Sequence, residues 1–373
     1  MKKSKVIITI VSVLILLFLA VLPVYALDET TDSIIEESGA NNLFESLDDN
    51  TKELLNEFGI DSVNTEQIFK VSPEKVVSSI INVISLNFSK VFKLFFNLLA
   101  ILVFESVAQS IVNDEKSKLA DITFTLLITT AATVPAINVI TLASSHIITS
   151  AGFMISFIPV YAFLLSASGN ITQAVSFNTI LFTASQFILQ FCQTVMMPLT
   201  GILISINIAS AINPVLPLDS ITKAVKKTVI ILLTFVSTVF IGFLSLKGTI
   251  ASDVDALTVR SIRTVSGAVI PFIGSSVADA YSSVLGSLKI INSSFGFMGI
   301  IIIFIINAPI IIELLMYFFT FYFASIVAQM LKCESSKLLE NIASVLSVIN
   351  TIVVFVSIVF TVSVGIMLKT RIN

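Results

Sequence analysis

Glu313 places a carboxyl group between two long apolar stretches, four residues after Pro309 and six after Asn307. Holding a charge of that kind in hydrocarbon costs at least about 2.5 to 3.5 kcal/mol, so the group must face a protein interior or water, or keep its proton. Those states suit a proton or ion path, or a polar contact between helices. The other reading sets Glu313 in a turn between two short spans near the membrane surface. Glu105 raises the same question in an earlier apolar stretch. Lys93 precedes it by twelve residues, about 18 Å along a helix, too far for mutual neutralisation, so Glu105 needs another partner or an interface position. Glu105, Asn307 and Glu313 are the candidate conduit or helix-interface residues.

Other chemistry is sparse. His146 is the single histidine and falls near an expected span end, where a surface or interfacial role suits it. The sequence holds no HExxH, no GxSxG, no Walker A loop and no pair of membrane-embedded aspartates, which removes metalloenzyme, intramembrane protease and intrinsic ATPase readings. The chain therefore reads as no enzyme, with no catalytic, cofactor-binding or metal-binding residue assigned, and any energy source lies in a partner or a gradient. Cys192, inside an apolar segment, and Cys333, in a polar loop, form no disulfide framework.

The elements that must position these residues belong to a membrane. From Ile122 through Leu218, 97 residues pass without an Asp, Glu, Lys or Arg, and a water-soluble fold cannot leave its surface that uncharged. A mean hydropathy of +1.01 and 12% charged residues, about half the share of soluble domains, extend the point to the whole chain. Lipid bilayer is thus the solvent. The net charge of −3 hides an asymmetry, since 13 of the 24 acidic residues fall between Asp28 and Glu74. No basic patch is present to engage nucleic acid.

Lys2, Lys3 and Lys5 precede an apolar run from Val6 to Leu22, and small or branched residues follow up to Ala26. This is a signal pattern over residues 1–26, cleaved after Ala26 or retained as a first span. Either way residues 27–78 form an acidic extracytoplasmic head, partly disordered over 27–42. Within it, Phe44, Leu47, Leu54, Leu55 and Phe58 predict a short amphipathic helix closed by Gly59. Ser72, Pro73 and Glu74 open another helix, whose apolar face lies on the bilayer or packs on the head. Residues 79–118 carry that helix and a first span from Val91 to Val112. Further spans are expected at 120–143, 150–168, 177–195, 197–212, 228–246, 290–312, 314–331 and 341–368, between the scattered charges. The fold class is all-α: a polytopic helical membrane protein of about seven to ten spans.

An internal echo divides the body. Pro159 is matched by Pro271, Pro198 by Pro309 and Lys226 by Lys337, at offsets of 112, 111 and 111 residues. The echo gives one unit over 119–225 and a second over 226–336, the latter with an amphipathic or re-entrant segment at 247–289, before a final span and tail at 337–373. Pro159, Pro198, Pro271 and Pro309 are the candidate helix breaks, where a backbone hydrogen bond is lost. Broken helices in paired repeats are a transporter feature, though ordinary spans carry prolines too.

Three stretches have the order and spacing of a known family: SFIPVYAFLLSASG at Ser156–Gly169, VMMPL at Val195–Leu199, and LTVRSIR at Leu257–Arg263 followed by VIPFIG at Val269–Gly274 and ADA at Ala278–Ala280. In these the chain resembles the stage III sporulation protein AE family of endospore-forming bacteria. The resemblance implies a multi-pass protein of the mother-cell membrane around the engulfed forespore, within an apparatus that links the two cells and keeps the forespore competent for late gene expression. It also implies partners: other stage III sporulation membrane proteins, a cytoplasmic secretion-type ATPase and a forespore protein across the intermembrane space. It carries over no catalytic residue, and Glu313 is no hallmark of the family. A membrane component of the sporulation channel or export apparatus is the preferred expectation; the alternatives are a stand-alone secondary transporter and a membrane scaffold without a conduit.

Overall fold

The structure is a computed structural model, and it describes residues 38–39, 43, 47, 49–57, 73–111, 114–212, 220–243 and 274–369. The signal at 1–26, the cleavage after Ala26, the segment 247–273 with Arg260 and Arg263, and the break at Pro271 lie outside the described residues. Within them every regular element is helical: α1 Asp49–Glu57, α2 Pro73–Ile111, α3 Asp114–Ala167, α4 Ile171–Phe191, α5 Met197–Ile212, α6 Ser220–Phe243, α7 Gly274–Met330 and α8 Ser336–Lys369. A π-helical turn, Cys192–Met196, joins α4 to α5 without a gap.

Among the described residues six helices are long and apolar enough to cross a membrane, fewer than the seven to ten expected, because neighbouring expected spans fuse. The stretches at 120–143 and 150–168 are parts of α3, those at 177–195 and 197–212 run together through the π turn, and those at 290–312 and 314–331 are both α7. The amphipathic segment after Ser72 and the first span likewise form one helix, α2, which starts at Pro73. Threonines within α3 are absorbed by the helix itself. Thr129 donates to the carbonyl of Thr125 at 2.6 Å and Thr141 to that of Ile137 at 3.1 Å, so these hydroxyls are satisfied four residues back without interrupting the backbone.

The prolines behave differently from one another. Pro135 and Pro159 sit inside α3 and Pro309 inside α7, each removing one backbone donor while the helix continues. Pro198 stands two residues after the end of the π turn, which widens the backbone where the proline cannot donate to a carbonyl four residues earlier. Shifted by 111 residues, the turn at Ser168–Asn170 falls inside α7.

Two helix ends are closed by the same hydrogen-bonded turn. Gly169, at φ +81°, ends α3, with its N–H on the Ser166 carbonyl at 3.0 Å and that of Asn170 on Leu165 at 3.1 Å. Lys332, at φ +60°, ends α7, with its N–H on Gln329 at 3.1 Å and that of Cys333 on Ala328 at 2.9 Å. This is the Schellman arrangement, which needs a left-handed residue and favours glycine; Lys332 accepts the strain of holding that position with a side chain.

The core runs along α3, α7 and α8. Ser150 of α3 bonds to Asn307 of α7, while Leu164 and Ser168 bond to Asn292, so α3 and α7 are antiparallel. Between these contacts the ring of Phe157 stacks on Phe295 at 5.3 Å and 6°, with Phe153 and Tyr161 on either side. Gly296 and Gly299 make this approach feasible. A Cβ on Gly299 would meet Phe157 at 2.5 Å, and one on Gly296 would meet Leu368 of α8 at 2.6 Å, so small residues set the spacing as in other membrane bundles. The short helix α1 seats against α7, with Leu43, Leu47 and Leu55 buried.

Candidate functional site

The turn that ends α7 also builds an enclosed polar site. By reversing the chain at Lys332 it directs Cys333 and Ser335 onto α2, where the sulfur of Cys333 lies 3.5 Å from the carbonyl of Leu102. One helical turn further along α2, Ser335 Oγ donates to Glu105 Oε2 at 2.6 Å. Glu105 is wholly buried and Ser335 nearly so. A carboxylate accepting a short hydroxyl bond in a water-poor setting is a strong contact, and removing one member strands the other. Chemically the pair is a clasp between α2 and the α7–α8 hairpin. Glu105 thus lies where α2 meets the α7–α8 hairpin.

Asn307 is also a clasp. Its Oδ1 accepts from Ser150 Oγ at 3.0 Å while its Nδ2 donates to the Ile303 carbonyl of its own helix at 2.8 Å, so the amide is used on both sides. About four turns away along the same seam, Asn292 Nδ2 donates to Ser168 Oγ at 2.6 Å and to the Leu164 carbonyl at 3.0 Å. The seam is therefore tied at two heights with aromatic rings between.

Glu313 lies within the continuous α7, so no turn separates two short spans there. It is half-buried and stands within electrostatic reach of Lys90 on α2. Asn307 and Glu313 are six residues apart, about 9 Å along the axis and on different faces. The structure brings none of the three candidate residues together: Glu105 meets the α7–α8 turn, Asn307 meets α3, and Glu313 faces α2. Of the candidate breaks, Pro159 lies beside the Phe157 stack, Pro198 follows the π turn, and Pro309 sits between Asn307 and Glu313.

Sequence reasoning missed most partners. Ser335 and Ser150 are short hydroxyls that look like loop or surface residues, and nothing local marks what lies opposite. Gln193 is another, since the π turn presents it to α3, where it accepts from Ser144 Oγ at 2.8 Å and donates to the Ser144 carbonyl at 3.0 Å. The spacing Gly296–Gly299 was a legible signal, because two glycines three apart in an apolar helix mark a close approach.

Fold and clasps together define a polytopic α-helical membrane protein whose buried polar groups tie helices to one another. The family model for stage III sporulation protein AE matches residues 50–370, and the chain belongs to that family, a group of sporulation proteins. It is also similar to the stage III sporulation protein AE of Bacillus subtilis (strain 168), 25% identical over 187 residues, which is 50% of this chain and 47% of that one. The match thus spans about half the length of the curated relative. No solved structure matches.

Proposed function

We propose that this chain is a membrane subunit of the apparatus linking mother cell and forespore, acting as export platform or pore-associated component in the mother-cell membrane. It assembles with other stage III sporulation membrane proteins and with a cytoplasmic secretion-type ATPase, and performs no catalysis itself. The observation that carries the reading is the family match across 50–370. The geometry favours a subunit over a self-contained transporter, because Glu105 and Asn307 are engaged by neighbouring helices on separate interfaces and do not converge on one binding site.

Purification from sporulating cells tests this directly. Retention of the ATPase and the other membrane proteins is expected; solute uptake by the isolated chain in liposomes would defeat it. Glu313→Gln sharpens the role of the half-buried acid. We expect spore yield to fall at least tenfold with thermal stability unchanged, and a normal yield would remove Glu313 from the conduit.

A further inference from the structure

Asn207, near the C-terminal end of α5, is 1% exposed. Its Oδ1 accepts from Thr222 Oγ1 of α6 at 3.3 Å, and its Nδ2 is buried with no hydrogen-bond partner. A donor left in that state is costly, so the position calls for an acceptor. The surroundings specify its charge. Thr222 lies close to the first described residue of α6, and Lys226 follows one turn later on the same face. Lys226 Nζ in turn donates to Ser344 Oγ of α8. Amide, hydroxyl and ammonium are thus brought together where α5, α6 and α8 meet. Lys223 and Lys227 are exposed on the same two turns, and the nearest described acid on α8, Glu340, points to solvent one turn before Ser344.

We infer that this α5–α6–α8 corner binds a phosphate group, held by Asn207 Nδ2 and Lys226, with Thr222 and Ser344 fixing the two side chains. Phosphate suits the donors better than a carboxylate, because it offers acceptor oxygens in several directions to groups arriving from separate helices. Three lysines within five residues at the start of an apolar helix are also the arrangement that draws anionic lipid to a membrane surface. The phosphate therefore comes from a lipid headgroup or from solution, and the two are separable.

The test uses the full-length protein in nanodiscs of phosphatidylcholine with added phosphatidylglycerol. Native mass spectrometry counts the phosphatidylglycerol retained after release. The wild type is expected to hold it about tenfold more often than phosphatidylcholine. Asn207→Asp keeps the acceptor for Thr222 and turns the unpaired donor into a repelling oxygen, so retention should fall to the phosphatidylcholine level with helicity and elution volume unchanged. Lys226→Met should do the same, whereas Lys227→Met should reduce retention less than threefold. Loss of bound lipid on addition of millimolar inorganic phosphate, with phosphorus resonance broadening in the wild type alone, assigns the site to free phosphate; lipid that resists it assigns the headgroup. Equal retention by wild type, Asn207→Asp and Lys226→Met, with no phosphate broadening in any of them, overturns the inference, and so does a preference for phosphatidylcholine. If Asn207→Asp does not fold, Thr222→Val decides by the same readout.

Discussion

The core helix α3 and the peripheral helix α6 have the same mean hydropathy, 1.9, yet differ in what surrounds them. In the most apolar stretches of α3, α7 and α8, 61 to 67% of residues are buried, against 11% in α6. Hydroxyls of α6 that face outward turn back on their own helix: Thr234 donates to Ile230, Ser237 to Leu233 and Thr238 to Thr234, each at 2.8 Å. In the core some hydroxyls do the same, as Thr129 does, while others reach across, from Ser150 to Asn307 and from Ser335 to Glu105. Hydropathy alone does not distinguish the lipid-facing α6 from the buried α3; close packing and polar contacts to neighbouring helices do. The helix α2 is intermediate. Its Phe88, Phe92 and Phe96 form an outward ladder beside a groove of about 480 Å³ against α7, while its other face holds Glu105.

The contrast can be broken most severely at the glycine contact. Gly299→Leu should destabilise the protein by about 3 kcal/mol, since the new side chain must displace a ring already stacked on Phe295. Gly242→Ala in α6, where a Cβ meets nothing within 4 Å, should be neutral or slightly stabilising. Denaturation in bicelles measures both, and equal effects would erase the distinction. Next is the buried carboxylate: Glu105→Ala strands Ser335 and should cost about 2 kcal/mol. Glu105→Gln keeps an acceptor and should cost less. In a Cys192→Ala background, maleimide should label Cys333, now buried, faster in Glu105→Ala than in Glu105→Gln. A smaller effect is expected along the seam, where a double-mutant cycle of Ser150→Ala and Asn307→Ala should give a coupling of about 0.6 kcal/mol. The smallest belongs to the periphery, because Thr234→Val removes only a bond within one helix and should change stability by less than about 0.5 kcal/mol. A larger change there would mean that α6 packs against something in the membrane.

Much of the fold was legible, and its failures have one cause. Pro73 as a helix start, the α8 span and the short helix that carries Leu55 all follow from local signals. Gly169 marked the end of α3 because a glycine can take the left-handed position there. Lys332 gave no such warning, being a residue that rarely adopts it, so the turn that builds the Glu105 site was invisible. Fusion of expected spans has the same origin: serines and threonines at 144–150 look like a break until their partners on α7 and the π turn are known. Glu105 and Asn307 were recognisable as polar groups needing a partner, whereas the identity of that partner, more than 150 residues away in each case, was not.

The amino-acid order alone dictates that this protein lives in lipid, that it is helical, and that a few polar side chains must find company, because hydrocarbon offers none to backbone or side chain. Only the folded arrangement chose which helices are inside and which face lipid. Helices of equal apolarity gain nothing from water exclusion on meeting in a bilayer, so close packing at Gly296 and Gly299 and the matching of one polar group to another decide the outcome.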